Sequence, residues 1–234
     1  MAAPRRFYRE VAVARLPEGH VVRLDDCVLR SPAGKPFELP TTALAEAIAA
    51  EWRAQGDKIL SASMPLMQLA ATAIDRIAPA PAETVAAIAG YAETDLLCYR
   101  AEEPAALVER QQRLWQPILD WAGLYLDAPF VVATGVVHQP QPAAVLSAVR
   151  AALADLDPFR LAALAALTGA AGSVVLALAV HAGRIDAETA FPLSQLDESF
   201  QIERWGEDAE AARRRAALRA ELLGAARFLA LLEA

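Results

Sequence analysis

LAALAALTGAAGSVVLALAV, residues 161–180, is a run of twenty residues without a charged side chain. A segment of this length could just cross a bilayer. Much of it is Ala, Gly, Ser and Thr, so its total hydrophobicity is modest, and it lacks the aromatic belt and the flanking basic cluster of an inserted span. We therefore expect no membrane insertion but a buried central helix, over about residues 158–182, whose small side chains let neighbouring helices approach closely.

The composition around that helix is typical of a globular, mostly helical protein. The chain has 234 residues; 56% are hydrophobic but only 6% are aromatic, and the excess is mostly Ala, the best helix former. Its 22 basic and 29 acidic side chains give a net charge of −7. Nucleic-acid binding needs a basic footprint, so this balance argues against nucleic acid as a partner.

The first forty residues have the pattern of β-strands. Short β-branched runs are interrupted by turn residues, such as Asp25-Asp26 and the Pro-x-Gly sequence at 32–34. We expect three or four antiparallel strands in this part of the chain.

Helical spacing begins after residue 40. With Thr42 as the predicted N-cap, Leu44, Ile48 and Trp52 recur at every fourth position. Pro65 is predicted to open a second helix, because proline is well tolerated in the first helical turn.

The rest of the chain is predicted to be helical, apart from a small hairpin formed by residues 130–133 and 136–137. A helix that starts at Pro104 is expected to break at Pro117. Further helices are expected at about 143–154, 158–182, 187–204 and 208–232. The predicted fold class is therefore α+β: a small N-terminal antiparallel β-hairpin and helix domain (1–79), followed by a mainly all-α C-terminal domain (80–234).

The sequence contains no pattern that predicts catalysis. The three histidines are far apart in sequence and have neither an i+4 partner nor a nearby cysteine, so we expect no metal site. No phosphate-binding loop or dinucleotide fingerprint is present, so we expect no cofactor and no enzyme. The alternative is a soluble enzyme of unknown reaction that uses the carboxylates near Asp95, Glu102 and Glu103.

Residues 193–206 form the most informative polar segment. On a single helix, Leu193, Leu196 and Phe200 share one face, and a second stripe on roughly the opposite side holds Glu198, Ile202 and Trp205. Either both stripes are internal and Asp197 pairs with a neighbouring base, or one stripe is left for a partner. Trp beside an acidic residue is a common combination in interface hot spots.

Several blocks together resemble one known family. The block YAETDLLCYRAEEP at 91–104 closely resembles the signature of a chaperone family for F-type ATP synthase assembly. The similarity extends over nearly the whole chain, through RFY (6–8), SPAG (31–34), AEW (50–52), MPL (64–66), AID (73–75), WQPILDW (115–121), LSQLDE (193–198) and QIERWG (201–206).

This resemblance implies a function and site residues. It implies an assembly chaperone without catalysis that holds the free α subunit of the catalytic head until a β subunit replaces it. In such a family the acid after Leu196 is important for function and the Trp of the Glu-Trp block for integrity, which here are Asp197 and Trp52. The family acid is typically Glu, so either Asp197 or Glu198 could have this role. With Ile202 and Trp205, these acids form the predicted partner-binding surface of a cytoplasmic, bacterial monomer with no targeting segment.

Overall fold

The computed structural model describes residues 4–135 and 137–233, which form two compact units. The first unit holds the chain up to Pro81 together with Asp157–Ala163 and the segment from Arg227 onward; the second holds Ala82–Leu156 and Leu164–Ala226. The sequence-based division into 1–79 and 80–234 placed the two later segments of the first unit in the helical domain.

The first unit is built on a three-stranded antiparallel sheet. Strands β1 (Val11–Leu16), β2 (Gly19–Leu24) and β3 (Cys27–Val28) pair in chain order, with Val11 opposite Leu24. Asp25 makes the turn after β2 at a φ of 52°, and its carboxylate accepts hydrogen bonds from the backbone N–H groups of Arg9 and Glu10. Aspartate tolerates this left-handed conformation better than most residues.

Two helices complete the core of this unit. Helix α1 (Thr42–Arg53) buries Leu44, Ile48 and Trp52, as their spacing predicts. Its N-cap is Thr41, not the predicted Thr42, because the Thr41 hydroxyl accepts the N–H of Leu44 at 3.1 Å. Helix α2 (Pro65–Thr72) starts at the predicted proline and continues into a π-helical turn, Ala73–Ile77.

The remaining helices confirm the predicted α+β class. They are α3 (Pro81–Gly90), α4 (Ala105–Tyr125), α5 (Ala143–Ala154), α6 (Pro158–Ala171), α7 (Val174–His181), α8 (Ala187–Ser194), α9 (Leu196–Trp205) and α10 (Ala209–Leu232). Short 3₁₀ turns at Tyr91–Thr94 and Leu96–Cys98 follow α3.

Three helix predictions were wrong at their boundaries. The stretch expected as one helix over 158–182 is broken at Gly172, whose φ is +65°, and Ser173 then caps α7. The helix expected over 187–204 is interrupted at Gln195, which separates α8 from α9. Helix α4 instead runs straight through Pro117, because residues on both sides of the proline belong to one buried stripe: Gln111, Trp115, Ile118, Leu119 and Ala122.

The hairpin expected at 130–137 does not form as predicted. Strand β5 (Ala133–Thr134) pairs in parallel with strand β4 (Tyr99–Arg100), so its partner comes from much earlier in the chain. Val136, part of the predicted second strand, lies outside the described residues. No described helix is both long enough and apolar enough to cross a membrane.

Candidate partner-binding site

Asp197 lies in the second unit, in the first turn of α9, and its carboxylate is held by a buried side chain of α4. Gln111 is 1% exposed and donates its amide N–H to Asp197 Oδ1 at 2.8 Å. The Gln111 carbonyl oxygen accepts the backbone N–H of Ala101 at 2.9 Å. A buried amide with both ends bonded is fixed in orientation, so Gln111 sets the position of the Asp197 carboxylate.

The positive charge near Asp197 comes from Arg100, which is 7% exposed. Its Nε donates to the Leu97 carbonyl at 2.9 Å, and its guanidinium carbon lies 5.3 Å from the centre of the Trp115 ring. Nη1 has no hydrogen-bond partner among the described residues. Burial raises the pKa of the Asp197 carboxyl, while the Gln111 hydrogen bond and the charge of Arg100 act in the opposite direction.

Helix α9 is anchored through its apolar face and one ion pair. Leu196 and Phe200 are buried, and the guanidinium of Arg204 lies 4.3 Å from the centre of the Phe200 ring. Arg110 of α4 pairs with Glu203 through two bonds of 2.7 and 2.8 Å. The bonds of Arg110 to Glu203 and of Gln111 to Asp197 hold this side of α9 against α4.

The other predicted residues of α9 lie on its open side. Glu198 is exposed, Ile202 is partly exposed, and Trp205 is 76% exposed. An indole so exposed at the end of a helix leaves much apolar area in water. The stripe formed by Glu198, Ile202 and Trp205 is therefore not internal, and the structure supports the predicted alternative in which this stripe is left for a partner.

Two hollows meet at Asp197. The Arg100 hollow has a volume of about 400 Å³ and is lined by Tyr99, Arg100, Ala101, Glu102, Glu103, Gly135 and Asp197. The Arg215 hollow, of about 300 Å³, is lined by Ser194, Gln195, Asp197, Glu198, Ala211, Arg214, Arg215 and Leu218. The structure thus brings Asp197 and Glu198 together in one hollow, while Ile202 and Trp205 lie outside both linings.

Arg100, Arg110 and Gln111 were not among the site residues predicted from the sequence. Gln111 had a usable signal, since it is the one polar residue in the buried α4 stripe that it forms with Trp115, Ile118, Leu119 and Ala122. A polar side chain at such a position needs a buried partner. Nothing in the sequence identifies Asp197 as that partner, because the two residues are 86 positions apart.

Trp52 lies in the first unit and is 7% exposed. Its ring packs edge-on against Tyr8 at a centroid distance of 5.5 Å, and its carbonyl accepts the Tyr8 hydroxyl at 2.7 Å. This contact joins two of the sequence blocks quoted above, RFY and AEW.

The carboxylates of the enzyme alternative do not form one constellation. Asp95 is fully buried, and its carboxylate accepts hydrogen bonds from Ser173 Oγ and from the backbone N–H groups of Leu97 and Val175. Glu102 and Glu103 are exposed and line the Arg100 hollow, of which Asp95 is not part. Within 4–135 and 137–233, no three His, Cys, Asp or Glu side chains are grouped so that they could hold a metal ion.

Comparison with known proteins gives consistent matches. The family model described as "ATP12 chaperone protein" matches residues 5–123. The mitochondrial protein atp12 of Schizosaccharomyces pombe is 28% identical over 219 residues, which cover 86% of this chain and 74% of that protein.

Two solved structures extend the match to almost the full length. The crystal structure of Atp12 from Paracoccus denitrificans is 45% identical with a TM-score of 0.92, and the match covers 97% of this chain and 98% of that one. A protein from Agrobacterium tumefaciens is 42% identical with a TM-score of 0.91, covering 98% of this chain and 85% of its own.

Proposed function

Because this chain belongs to the ATP12 chaperone family, a family of ATP synthase assembly chaperones, we propose that it binds the unassembled α subunit of the F-type ATP synthase head. It shields the subunit interface of α until the β subunit replaces it. The family membership confirms the resemblance drawn from the sequence blocks and supports this choice of client.

Unassembled subunits of a ring need a chaperone because of the surfaces that they expose. Subunits of an alternating ring expose large apolar interfaces before assembly, and such surfaces aggregate. A chaperone for one of them needs an interface of the usual size, about 1,200–2,000 Å² in total. The β subunit must also be able to displace the chaperone. This requires that the two bind overlapping surfaces of the α subunit, and it requires no ATP hydrolysis.

The observation that carries the proposed surface is the position of Asp197 beside the exposed side of α9. Asp197 is oriented by Gln111 at 2.8 Å and borders both hollows, while Trp205 is 76% exposed. An exposed Trp at the last residue of α9 and a fixed acid in its first turn offer an apolar anchor and a charged contact to a partner that lies along the helix. In this proposal Asp197 supplies the family acid, and Glu198, Ile202 and Trp205 continue the surface along the open side of α9.

The protein acts by binding and not by catalysis in this proposal. The hydrogen bonds that hold Asp95 in the core support this, because a carboxylate occupied by backbone donors is not free to transfer protons to a substrate. The monomeric state and the cytoplasmic location expected from the sequence stay predictions.

Capture of the α subunit by purified protein tests the proposal. The wild-type chain should co-elute with the α subunit, and Asp197→Lys should bind at least tenfold more weakly, since a reversed charge at a buried contact costs roughly 2–5 kcal/mol. Asp197→Asn keeps an acceptor for Gln111 and removes only the charge. It therefore shows whether weaker capture by Asp197→Lys comes from the lost negative charge or from the larger side chain.

Glu18→Lys is the matched control, because it makes the same change in net charge at an exposed position of the β1–β2 turn. Glu198→Lys distinguishes the two adjacent acids. Equal capture by the wild type, Asp197→Lys and Glu18→Lys would remove Asp197 from the interface, and failure of the wild type to capture α would contradict the proposed client.

A further inference from the structure

Exposed apolar side chains also cluster at the C-terminal end of α4 and in the segment that follows it. Leu124 is 86% exposed and Tyr125 49%. Val131 and Val132 are also exposed. Single exposed apolar residues are ordinary, but a contiguous group of them indicates an interaction surface.

This region surrounds a groove, which we call the α4 groove. Its volume is about 460 Å³, and its apolar walls are formed by Leu119, Leu124, Pro129, Phe130 and Val132. A groove of this size accommodates a few side chains of a bound segment.

The charge of the α4 groove is negative. Asp120 and Asp127 belong to its lining, and none of the described lining residues is Lys or Arg. The Asp127 carboxylate makes no hydrogen bond or ion pair with any described residue, so it is available to an outside cation. Apolar walls with acidic side chains among them are complementary to an apolar segment that carries positive charge.

The α4 groove adjoins the Arg100 hollow. Gln116 lines the groove, accepts a hydrogen bond from Arg100 Nη2 at 3.4 Å and donates one to Asp120 at 2.7 Å. The pairing of β4 with β5 places Tyr99 opposite Ala133, next to the groove residue Val132. One partner can therefore contact the groove and the surroundings of Asp197 together.

We propose that the α4 groove binds an apolar segment of the client that has Lys or Arg beside its apolar side chains. The inference rests on the proposed function, since it takes the α subunit as the client. It extends the binding surface from Asp197 to the far end of α4 and gives the exposed Leu124 a partner.

Substitutions in the groove test this inference in the capture assay. Leu124→Glu should weaken binding of the α subunit about tenfold or more, because it places a charge in an apolar contact. Asp127→Asn keeps a residue that tolerates its φ of +50° and should cause a smaller loss that disappears at high salt. Leu60→Glu is the matched control, since Leu60 is 54% exposed in the first unit.

A peptide assay separates this inference from the proposed function. The probe is a fluorescein-labelled peptide with a core of Leu and Phe flanked by Arg, and its twin is flanked by Glu. The wild type should bind the Arg-flanked peptide better than its twin. Asp127→Asn should reduce that preference, because it removes one of the two acids of the groove, and Leu124→Glu should weaken the binding of both peptides.

The outcomes then distinguish the two proposals. In one outcome the wild type captures the α subunit, Asp197→Lys fails to capture it, and Leu124→Glu captures it as well as the wild type does. That outcome overturns the groove inference and leaves the proposed function standing. If α is not captured but the peptide binds through Leu124, the groove stands and the client is wrong. If neither binds, both are overturned.

Discussion

Trp52, near the end of α1, makes two contacts with Tyr8, which lies three residues before β1. The edge-on ring packing and the hydrogen bond from the Tyr8 hydroxyl to the Trp52 carbonyl use the same pair of residues twice. The indole Nε1 has no hydrogen-bond partner among the described residues, so the ring contributes through packing and not through its N–H group.

Trp52→Arg should lower the free energy of unfolding by more than about 3 kcal/mol, because it buries a charge without a partner. Urea unfolding measures the change. Trp205→Arg is the control, since the same substitution at a side chain that is 76% exposed should change stability by less than about 0.5 kcal/mol. Equal effects at the two positions would contradict the structural role of Trp52.

Asp95, unlike the indole N–H of Trp52, is a buried polar group with several hydrogen-bond partners. Its carboxylate caps both the Leu96–Cys98 turn and the start of α7, which explains why an acid is tolerated in the core. Burial nevertheless outweighs these hydrogen bonds and raises the pKa of Asp95 from 3.8 to about 6.

A raised pKa makes a defined prediction about pH. The protonated form of Asp95 is favoured by folding, so its stabilising effect is full below the unfolded pKa near 3.8 and is lost as pH rises through about 6. Relative to Asp95→Asn, the wild type should gain about 1.4 kcal/mol of unfolding free energy as pH falls from 7 to 5. Denaturant unfolding of both proteins at each pH measures this, and a constant difference between them would contradict the assigned pKa.

The elements of the second unit are separated by short breaks with specific causes. Gly172 adopts a positive φ that favours glycine, and the Ser173 hydroxyl accepts the N–H of Leu176 at 3.0 Å while it donates to Asp95. Ser173 is therefore both an N-cap and a partner of the Asp95 carboxylate, and α7 begins as a separately capped helix after the break.

Ser173→Ala should cost about 1–2 kcal/mol of stability, because it removes the cap and leaves Asp95 with one donor fewer. Ser147→Ala, at an exposed position inside α5, should be neutral or slightly stabilising, since Ala is the better helix former. Thermal unfolding compares the two variants, and a Ser173→Ala protein as stable as the wild type would show that the cap contributes nothing.

The sequence predicted the elements better than their ends. The four-residue spacing of Leu44, Ile48 and Trp52 predicted α1 correctly, because one buried face determines that pattern. The break at Gly172 was missed because the run around it is uncharged and mostly buried, so no polar face of helical period changes at the break. The continuity of α4 at Pro117 was missed because tertiary burial overrides the local cost of proline.

The candidate site was only partly predictable for a similar reason. Asp197 came from the family resemblance and Trp205 from the spacing of 193–206, but their surroundings depend on contacts between distant segments. Gln111 bonds to Asp197, and the charge of Arg100 lies near it, only because α4, β4 and α9 meet in the folded unit, and no local pattern encodes that meeting.

The charge of the whole chain fits a chaperone whose client binds through basic groups. The net charge of −7, with acids in both the Arg100 hollow and the α4 groove, favours encounter with a positively charged surface. Client capture should therefore be faster at low salt than at high salt, which stopped-flow binding at several salt concentrations would measure. A rate independent of salt would exclude electrostatic steering.

Exchange of the client between this protein and the β subunit tests the central claim most directly. The preformed complex with the α subunit is mixed with purified β subunit without nucleotide hydrolysis, and the chaperone freed from the complex is followed by size-exclusion chromatography. The β subunit should release the chaperone to an extent that increases with the concentration of β. If the chaperone stays on the α subunit while β binds alongside it, the two cover different surfaces of α, and displacement of the chaperone by β is contradicted.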